Sequence, residues 1–389
     1  MQKNRFFLIG LLLISFTSGC SNSRAISSNS TTSASISFPS EQESSLPIFN
    51  SLPSETSENS NSKPSSLDVL TTEKYEYYRQ KGYEKLYEDS NFTKGFILSK
   101  TSTKAEGGMY HDQYLKPFAE YEDEVPSWII AQWGSKFDMY KAMEVKNSDN
   151  GYVFSYTSRG GKTLEDGRKI PAKKLEFHAK TGSIYLECNA ETEYDAPRNP
   201  GEEWPSLLMG QHLDHHLIHL SSCTSIIMES QYEITKFEDK MNGNCVESRH
   251  AAQAVWYITL QNRNRQSSEY GKYIWMGIRL WDNRDSGKET SLFSAIDGGT
   301  SSLMYNTSSK DYLKSNDGKL PNVHQKVTAS IDIIENTKKA YSAAVERGYF
   351  VKTQYEDLYI GGTNFGLEIP GTYNLGILLD DINVYYQHL

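Results

Sequence analysis

From residue 151 onward the chain is dominated by short runs in which hydrophobic and polar residues alternate, the pattern of a half-buried β-strand. Residues 151–156 (GYVFSY), 174–178 (KLEFH) and 182–188 (GSIYLEC) are each bounded by Gly, Asn, Asp or Lys. The runs 254–262 and 272–281 are the strongest strand signals, followed by 324–334 and 374–386. Helical periodicity is rare. It predicts a helix over the Tyr-rich, charged stretch 72–87, a short one over 211–220, and one over 336–347 that Gly348 ends from the C′ position. Many strands, few helices and roughly 300 orderable residues predict a mainly β fold, a single large β-sandwich with a few peripheral helices over 68–389.

The period of two also sorts side chains by face. In one strand Ala254, Trp256, Ile258 and Leu260 share a face, and Gln253, Tyr257, Thr259 and Gln261 share the other. In the next, Ile274, Met276, Ile278 and Leu280 alternate with Tyr273, Trp275, Gly277, Arg279 and Trp281. One face is an aliphatic core. The other mixes flat rings with amide, hydroxyl and guanidinium groups, which suits sugars: their ring faces stack on π surfaces and their hydroxyls need donors and acceptors. Such a face is either open to a ligand or covered by the N-terminal segment and peripheral helices.

The first residues read as an address. Lys3 and Arg5 precede an apolar run from Phe6 to Phe16, too short to span a bilayer comfortably, and then Thr17-Ser-Gly-Cys20. This order resembles the lipobox of bacterial lipoproteins, although Thr17 stands where Leu is usual. It implies a signal peptide over 1–19, lipidation of Cys20, and a cell-membrane, extracytoplasmic location. Residues 20–67 are rich in Ser, Thr and Asn and poor in large apolar residues, the composition of a disordered tether.

Composition narrows the partners. The chain has 389 residues, a net charge of −9 and a mean hydropathy of −0.60. That acidity leaves no footprint for nucleic acid, and contact with the membrane is expected through the lipid alone. A monomer is expected. Three cysteines follow the tether, Cys188, Cys223 and Cys245, of which Cys223 and Cys245 are the best candidates for a disulfide in an oxidising compartment.

Residues 126–133 (PSWIIAQW), 204–211 (WPSLLMGQ), 261–266 (QNRNRQ) leading to 270–275 (YGKYIW), and 361–371 (GGTNFGLEIPG) resemble a group of uncharacterised secreted bacterial proteins with a concanavalin-like jelly-roll sandwich. The likeness covers one domain, from about Gly95 to the C-terminus. It implies the jelly-roll fold and an extracytoplasmic role, with glycan binding or cleavage as the usual activity of such scaffolds. It supplies no catalytic residue.

Candidate chemistry gathers on the mixed face. Gln253, Tyr257, Thr259, Tyr273, Trp275 and Arg279 form a ligand patch, with Trp275 as stacking surface. Asn364 and Glu368 share a face if 364–370 is a strand, with Gly366 leaving space between them. Glu368 is then an acid or base, or an ion-pair partner of Arg279. Three readings follow: carbohydrate binding on a concave aromatic face, polysaccharide cleavage there, or a structural or adhesive envelope role. For β-elimination, Arg279 or Gln253 neutralises a uronate while Tyr257 or His250 moves protons. Hydrolysis requires two carboxylates, and Glu368 has no evident second. No cofactor is called for. A divalent ion such as Ca²⁺ at residues 282–285 (DNRD), or a metal on the His212, His215, His216 and His219 stripe, competes with a polar turn and a solvated helix face.

Overall fold

The computed structural model describes residues 73–100, 110–132, 134–145, 151–213, 217–297 and 300–389. The expected signal peptide, Cys20, the tether, His215 and His216 lie outside the described residues.

The strands in chain order are β1 (Glu84–Lys85), β2 (Phe96–Lys100), β3 (Tyr110–Leu115), β4 (Trp128–Ala131), β5 (Met143–Val145), β6 (Val153–Thr157), β7 (Gly161–Thr163), β8 (Lys169–Pro171), β9 (Lys173–His178) and β10 (Ser183–Asn189). They continue with β11 (Ser206–His212), β12 (Ile218–His219), β13 (Cys223–Asp239), β14 (Gln253–Asn262), β15 (Tyr273–Asp282), β16 (Phe293–Ile296), β17 (Leu303–Asn306), β18 (Val327–Asp332), β19 (Leu358–Glu368) and β20 (Tyr373–His388). The α-helices are α1 (Glu73–Gln80), α2 (Ser309–Tyr312) and α3 (Ile334–Glu346).

The fold is mainly β, a two-sheet sandwich with peripheral helices. An eight-stranded sheet runs β18-β13-β20-β10-β9-β6-β5, with β1 beside β20. A ten-stranded sheet runs β16-β17-β15-β14-β19-β11-β4-β2-β3, with β12 beside β19. The chain passes from β10 to β11, then to β13 and β14, changing sheet at each step, and changes again from β18 to β19 to β20. These crossings place the central strands β14 and β19 at the middle of the larger sheet.

The aliphatic face forms as its alternation predicts. Ala254, Trp256, Ile258, Leu260, Ile274, Met276, Ile278 and Leu280 all enter the core between the sheets, facing Ile184, Leu186, Ile377 and Leu379 of the other layer. Burying each Ile, Leu or Met chain of this set stabilises the fold by roughly 1.5–3 kcal/mol. Polar ties cross the core as well: the Tyr232 hydroxyl donates to the Leu280 carbonyl (2.8 Å), joining β13 to β15. The segment after α1 is part of this core, because Trp256 Nε1 donates to the Tyr87 hydroxyl (3.0 Å), which also contacts Thr363 Oγ1 (2.7 Å).

Several expectations are corrected. The first helix stops at Gln80 rather than Tyr87, since Gly82 adopts φ 81° and Glu84–Lys85 pairs with β20 instead. Among the described residues of 211–220 the expected α-helix is absent: β11 stays paired with β19 through His212, and β12 pairs with β19 at Ile218 and His219. Strand pairing overrides the local 3.6-residue period, and His212 and His219 sit on separate strands rather than one helical stripe. Trp281 joins the main core, because the β14–β15 register shifts between Ala254 and Val255. Cys223 and Cys245 are unbridged. Cys223 Sγ lies 3.6 Å from the His219 carbonyl and Cys245 Sγ 3.2 Å from the Tyr373 hydroxyl.

Candidate functional site

The opposite face of the ten-stranded sheet carries a second, smaller cluster: Leu208, Val255, Tyr257, Trp275 and Met304, with Ala131 and Tyr273 packed against it. Registers fix its plan. Tyr257 stands opposite Asn364 on one side and Gly277 on the other, and Gly277 stands opposite Asn306 of β17. Gln253 and Ser206 both oppose Glu368. Thr259 opposes Trp275, Gln261 opposes Tyr273, and Val255 opposes Arg279. The expected ligand residues Gln253, Tyr257, Thr259, Tyr273, Trp275, Arg279, Asn364 and Glu368 therefore share one face of three adjacent strands.

The side chains of this face are largely buried. Trp275 is only 1% exposed, so the expected exposed stacking platform is instead packed between Tyr257 (ring centroids 6.1 Å apart) and Tyr273 (5.2 Å), both edge-on. Glycine at 277 makes this arrangement possible: a Cβ there would lie 2.4 Å from Tyr257 Cδ1, so only glycine lets the Tyr257 ring cross β15 and bring its hydroxyl to Asn306. Gly366 does not leave the expected open space. It adopts φ 142°, and a Cβ there would lie 2.3 Å from the Leu207 carbonyl, so its role is close approach of two backbones.

Four polar atoms in this cluster are buried without a hydrogen-bond partner: Trp275 Nε1, Asn306 Oδ1, Asn364 Oδ1 and Glu368 Oε1. A buried donor or acceptor left unmade costs about 1–3 kcal/mol, so one donor and three acceptors gathered on one face need an explanation beyond packing. Burial, and after it the charge of Asp297, push the Glu368 carboxyl up to about 8, so it holds its proton at neutral pH. Asp297 is the carboxylate whose charge acts on Glu368. Its sequence context, a Gly-rich turn, marks only a bend. The β16–β17 hairpin carries it to this face, where its Oδ2 accepts from Thr300 N (2.8 Å) and Thr300 Oγ1 (2.6 Å).

Other candidates are committed elsewhere. Arg279 Nη1 lies 2.7 Å from Asp285 Oδ2 and 3.9 Å from Asp282 Oδ2, and its pairing with Glu368 does not form. Asp282 is gripped by Arg284 (2.8 and 2.6 Å) and by Gln253 Nε2 (2.6 Å). The 282–285 turn is thus a carboxylate–arginine network, not an oxygen cage for Ca²⁺. Among the described residues no group of three His, Cys, Asp or Glu side chains is placed to hold a metal. His250 stands apart from the cluster: its Nδ1 accepts from Val246 N (2.9 Å) and its Nε2 contacts the Arg198 carbonyl (2.8 Å), so it ties two loops together. Burial pushes the Tyr257 phenol above its ordinary range, the wrong direction for a proton-abstracting base.

Asn306 and Asp297 were not legible as site residues. Asn306 reaches the face through a parallel β15–β17 pairing, which carries no local sequence signal.

No family model matches the chain, and no curated protein matches it. Among solved structures, an endoglucanase from Rhodothermus marinus shows 13% identity and a TM-score of 0.34, covering 67% of this chain and all of its own. A family 12 xyloglucanase from Bacillus licheniformis shows 13% identity and a TM-score of 0.35, covering 66% of this chain and all of its own. A family 11 xylanase from Neocallimastix patriciarum shows 12% identity and a TM-score of 0.31, covering 63% of this chain and all of its own.

Proposed function

We propose that this protein is a lipid-anchored, extracytoplasmic carbohydrate-binding protein whose site is the second face of the ten-stranded sheet. The observation that carries this reading is the set of unsatisfied atoms, Trp275 Nε1 and the oxygens of Asn306, Asn364 and Glu368, beside the rings of Tyr257, Tyr273 and Trp275. Sugar hydroxyls donate and accept at once, so a single ring satisfies both kinds of orphan while its C–H face meets an aromatic edge. Asn364→Ala removes one such acceptor without touching the main core. It is expected to weaken glycan binding about tenfold, equivalent to about 1.4 kcal/mol, measured by calorimetry on the best ligand from a glycan panel. Unchanged affinity, or no binding by the parent to any glycan, overturns the reading.

A second reading, glycoside hydrolysis, is favoured by one observation: burial and the charge of a second carboxylate, Asp297, push the Glu368 carboxyl up to about 8. Glu368 would give its proton to the leaving oxygen while Asp297 activates water or attacks the sugar carbon, a division of labour between two carboxyls. The raised Tyr257 favours this route over β-elimination. Reducing-end release that Glu368→Gln abolishes while glycan retention persists would establish it.

A further inference from the structure

Beyond the Glu368 end of strands β11, β14 and β19, three loops converge. The β11–β19 ladder continues past Ser206 to a bond from Ile369 N to the Pro205 carbonyl (3.0 Å), which places Trp204 just outside that end. Residues 246–251 lead into Gln253, the partner of Glu368, and Ala251 N donates to the Pro370 carbonyl (3.2 Å). His250 fastens the third loop through the Arg198 carbonyl.

At this junction the Arg198 guanidinium lies over the Trp204 ring, 4.8 Å from its centroid. Arg198 is 3% exposed, and its Nε is buried without a hydrogen-bond partner, as is the Trp204 Nε1. Among the described residues no carboxylate forms an ion pair with it. Glu202 acts on it only from an exposed position, where its own oxygens are held by Asn199 (2.7 and 3.1 Å). The half-buried Arg249 adds a second positive charge beside Arg198. A buried guanidinium is costly unless a counter-charge and hydrogen bonds meet it. An indole face orients it but supplies no negative charge.

We infer that Arg198, Arg249 and Trp204 form a subsite for an oxyanion borne on a glycan, the carboxylate of a uronic acid or a sulfate ester, adjoining the Glu368 end of the carbohydrate face. The inference rests on the carbohydrate reading and names its substrate class: acidic polysaccharides. A planar guanidinium donates two parallel hydrogen bonds to either oxyanion, and the sugar ring carrying it lies within reach of the indole. The net charge of −9 does not oppose this, because beyond roughly 8–10 Å other charges are screened at physiological salt and the local pair of arginines dominates.

The test is binding of the full mature chain to three sets of immobilised glycans: polygalacturonate and alginate, dextran sulfate and chondroitin sulfate, and the neutral dextran, xylan and mixed-linkage β-glucan. Retention of a charged set at least tenfold above the neutral set is expected, and which charged set wins distinguishes carboxylate from sulfate. Arg198→Gln should erase that preference and leave neutral retention unchanged. If Arg198→Gln melts well below the parent, the half-buried Arg249→Gln decides, with an expected three- to tenfold loss on charged glycans only. Neutral glycans retained as well as charged ones, or charged binding indifferent to Arg249→Gln, overturns the subsite while leaving the carbohydrate reading intact. Failure to retain any glycan overturns both.

Discussion

At the scale of the residue, Glu368 carries the clearest physical signature. Its carboxyl shifts from 4.5 to about 8 through burial first and the nearby Asp297 charge second. In the unfolded chain it titrates near its ordinary value, so between those two pH values the native state holds a proton that the unfolded state has released. Stability is therefore greatest below pH 4.5 with respect to this group and falls as pH rises through about 8, with each pH unit in the window worth about 1.4 kcal/mol. Glu368→Gln keeps a neutral side chain of the same shape and removes the dependence. Urea midpoints at pH 5.5 and 8.5 should differ more for the parent than for the variant; parallel midpoints would show that Glu368 is ionised in the native state. Glu368 was legible because alternation in 364–368 sets it on one side of a strand. Asp297 was not, because a hairpin 71 residues earlier brings it there, and no local pattern encodes that approach.

Elements explain which parts of the fold could be read. Strands β14 and β15 announce themselves because one face is aliphatic at every second position, and the structure buries those residues in the core. The same rule fails at Trp281, where one extra residue in β15 moves the indole across the sheet, and helical spacing misleads in 211–220, where His212, Ile218 and His219 pair with β19. Period-two reasoning also could not tell whether the aromatic face is open or covered, since both need rings on that side. Gly277 decides how that face is built. Its missing Cβ admits the Tyr257 ring, and a methyl there would also sit 2.3 Å from the Trp256 carbonyl, which cannot move without disturbing the ladder. Gly277→Ala is expected to cost about 1–3 kcal/mol, to displace Tyr257 from Asn306, and to reduce glycan affinity along with the near-ultraviolet circular dichroism of the Tyr257–Trp275 pair. A fully parent-like spectrum and melting curve would show that the strand yields freely and that Tyr257 is not fixed by this contact.

For the whole molecule, one core cluster runs from Leu86 to Tyr386 without a break, and β1 pairs with β20, so the two ends of the described chain meet on the same sheet. Tyr78 of α1 stacks on Tyr385 with centroids 4.2 Å apart, which ties α1 to β20. A chain of net charge −9 gains nothing from an anionic leaflet, and among the described residues no helix is long and apolar enough to cross a membrane. The proposed attachment is through acyl chains on Cys20, each buried CH₂ contributing about 0.8 kcal/mol, with more than one chain needed for stable anchoring. Hydrophobic anchoring of this kind is insensitive to ionic strength, whereas adsorption through charge is not. The parent should therefore stay in the membrane fraction through high-salt and carbonate washes and be released only by detergent, while Cys20→Ser appears in the soluble fraction with its glycan binding intact. Release of the parent by salt, or retention of Cys20→Ser as firmly as the parent, would overturn the lipid anchor and leave a β-sandwich whose proposed glycan site does not depend on where it is held.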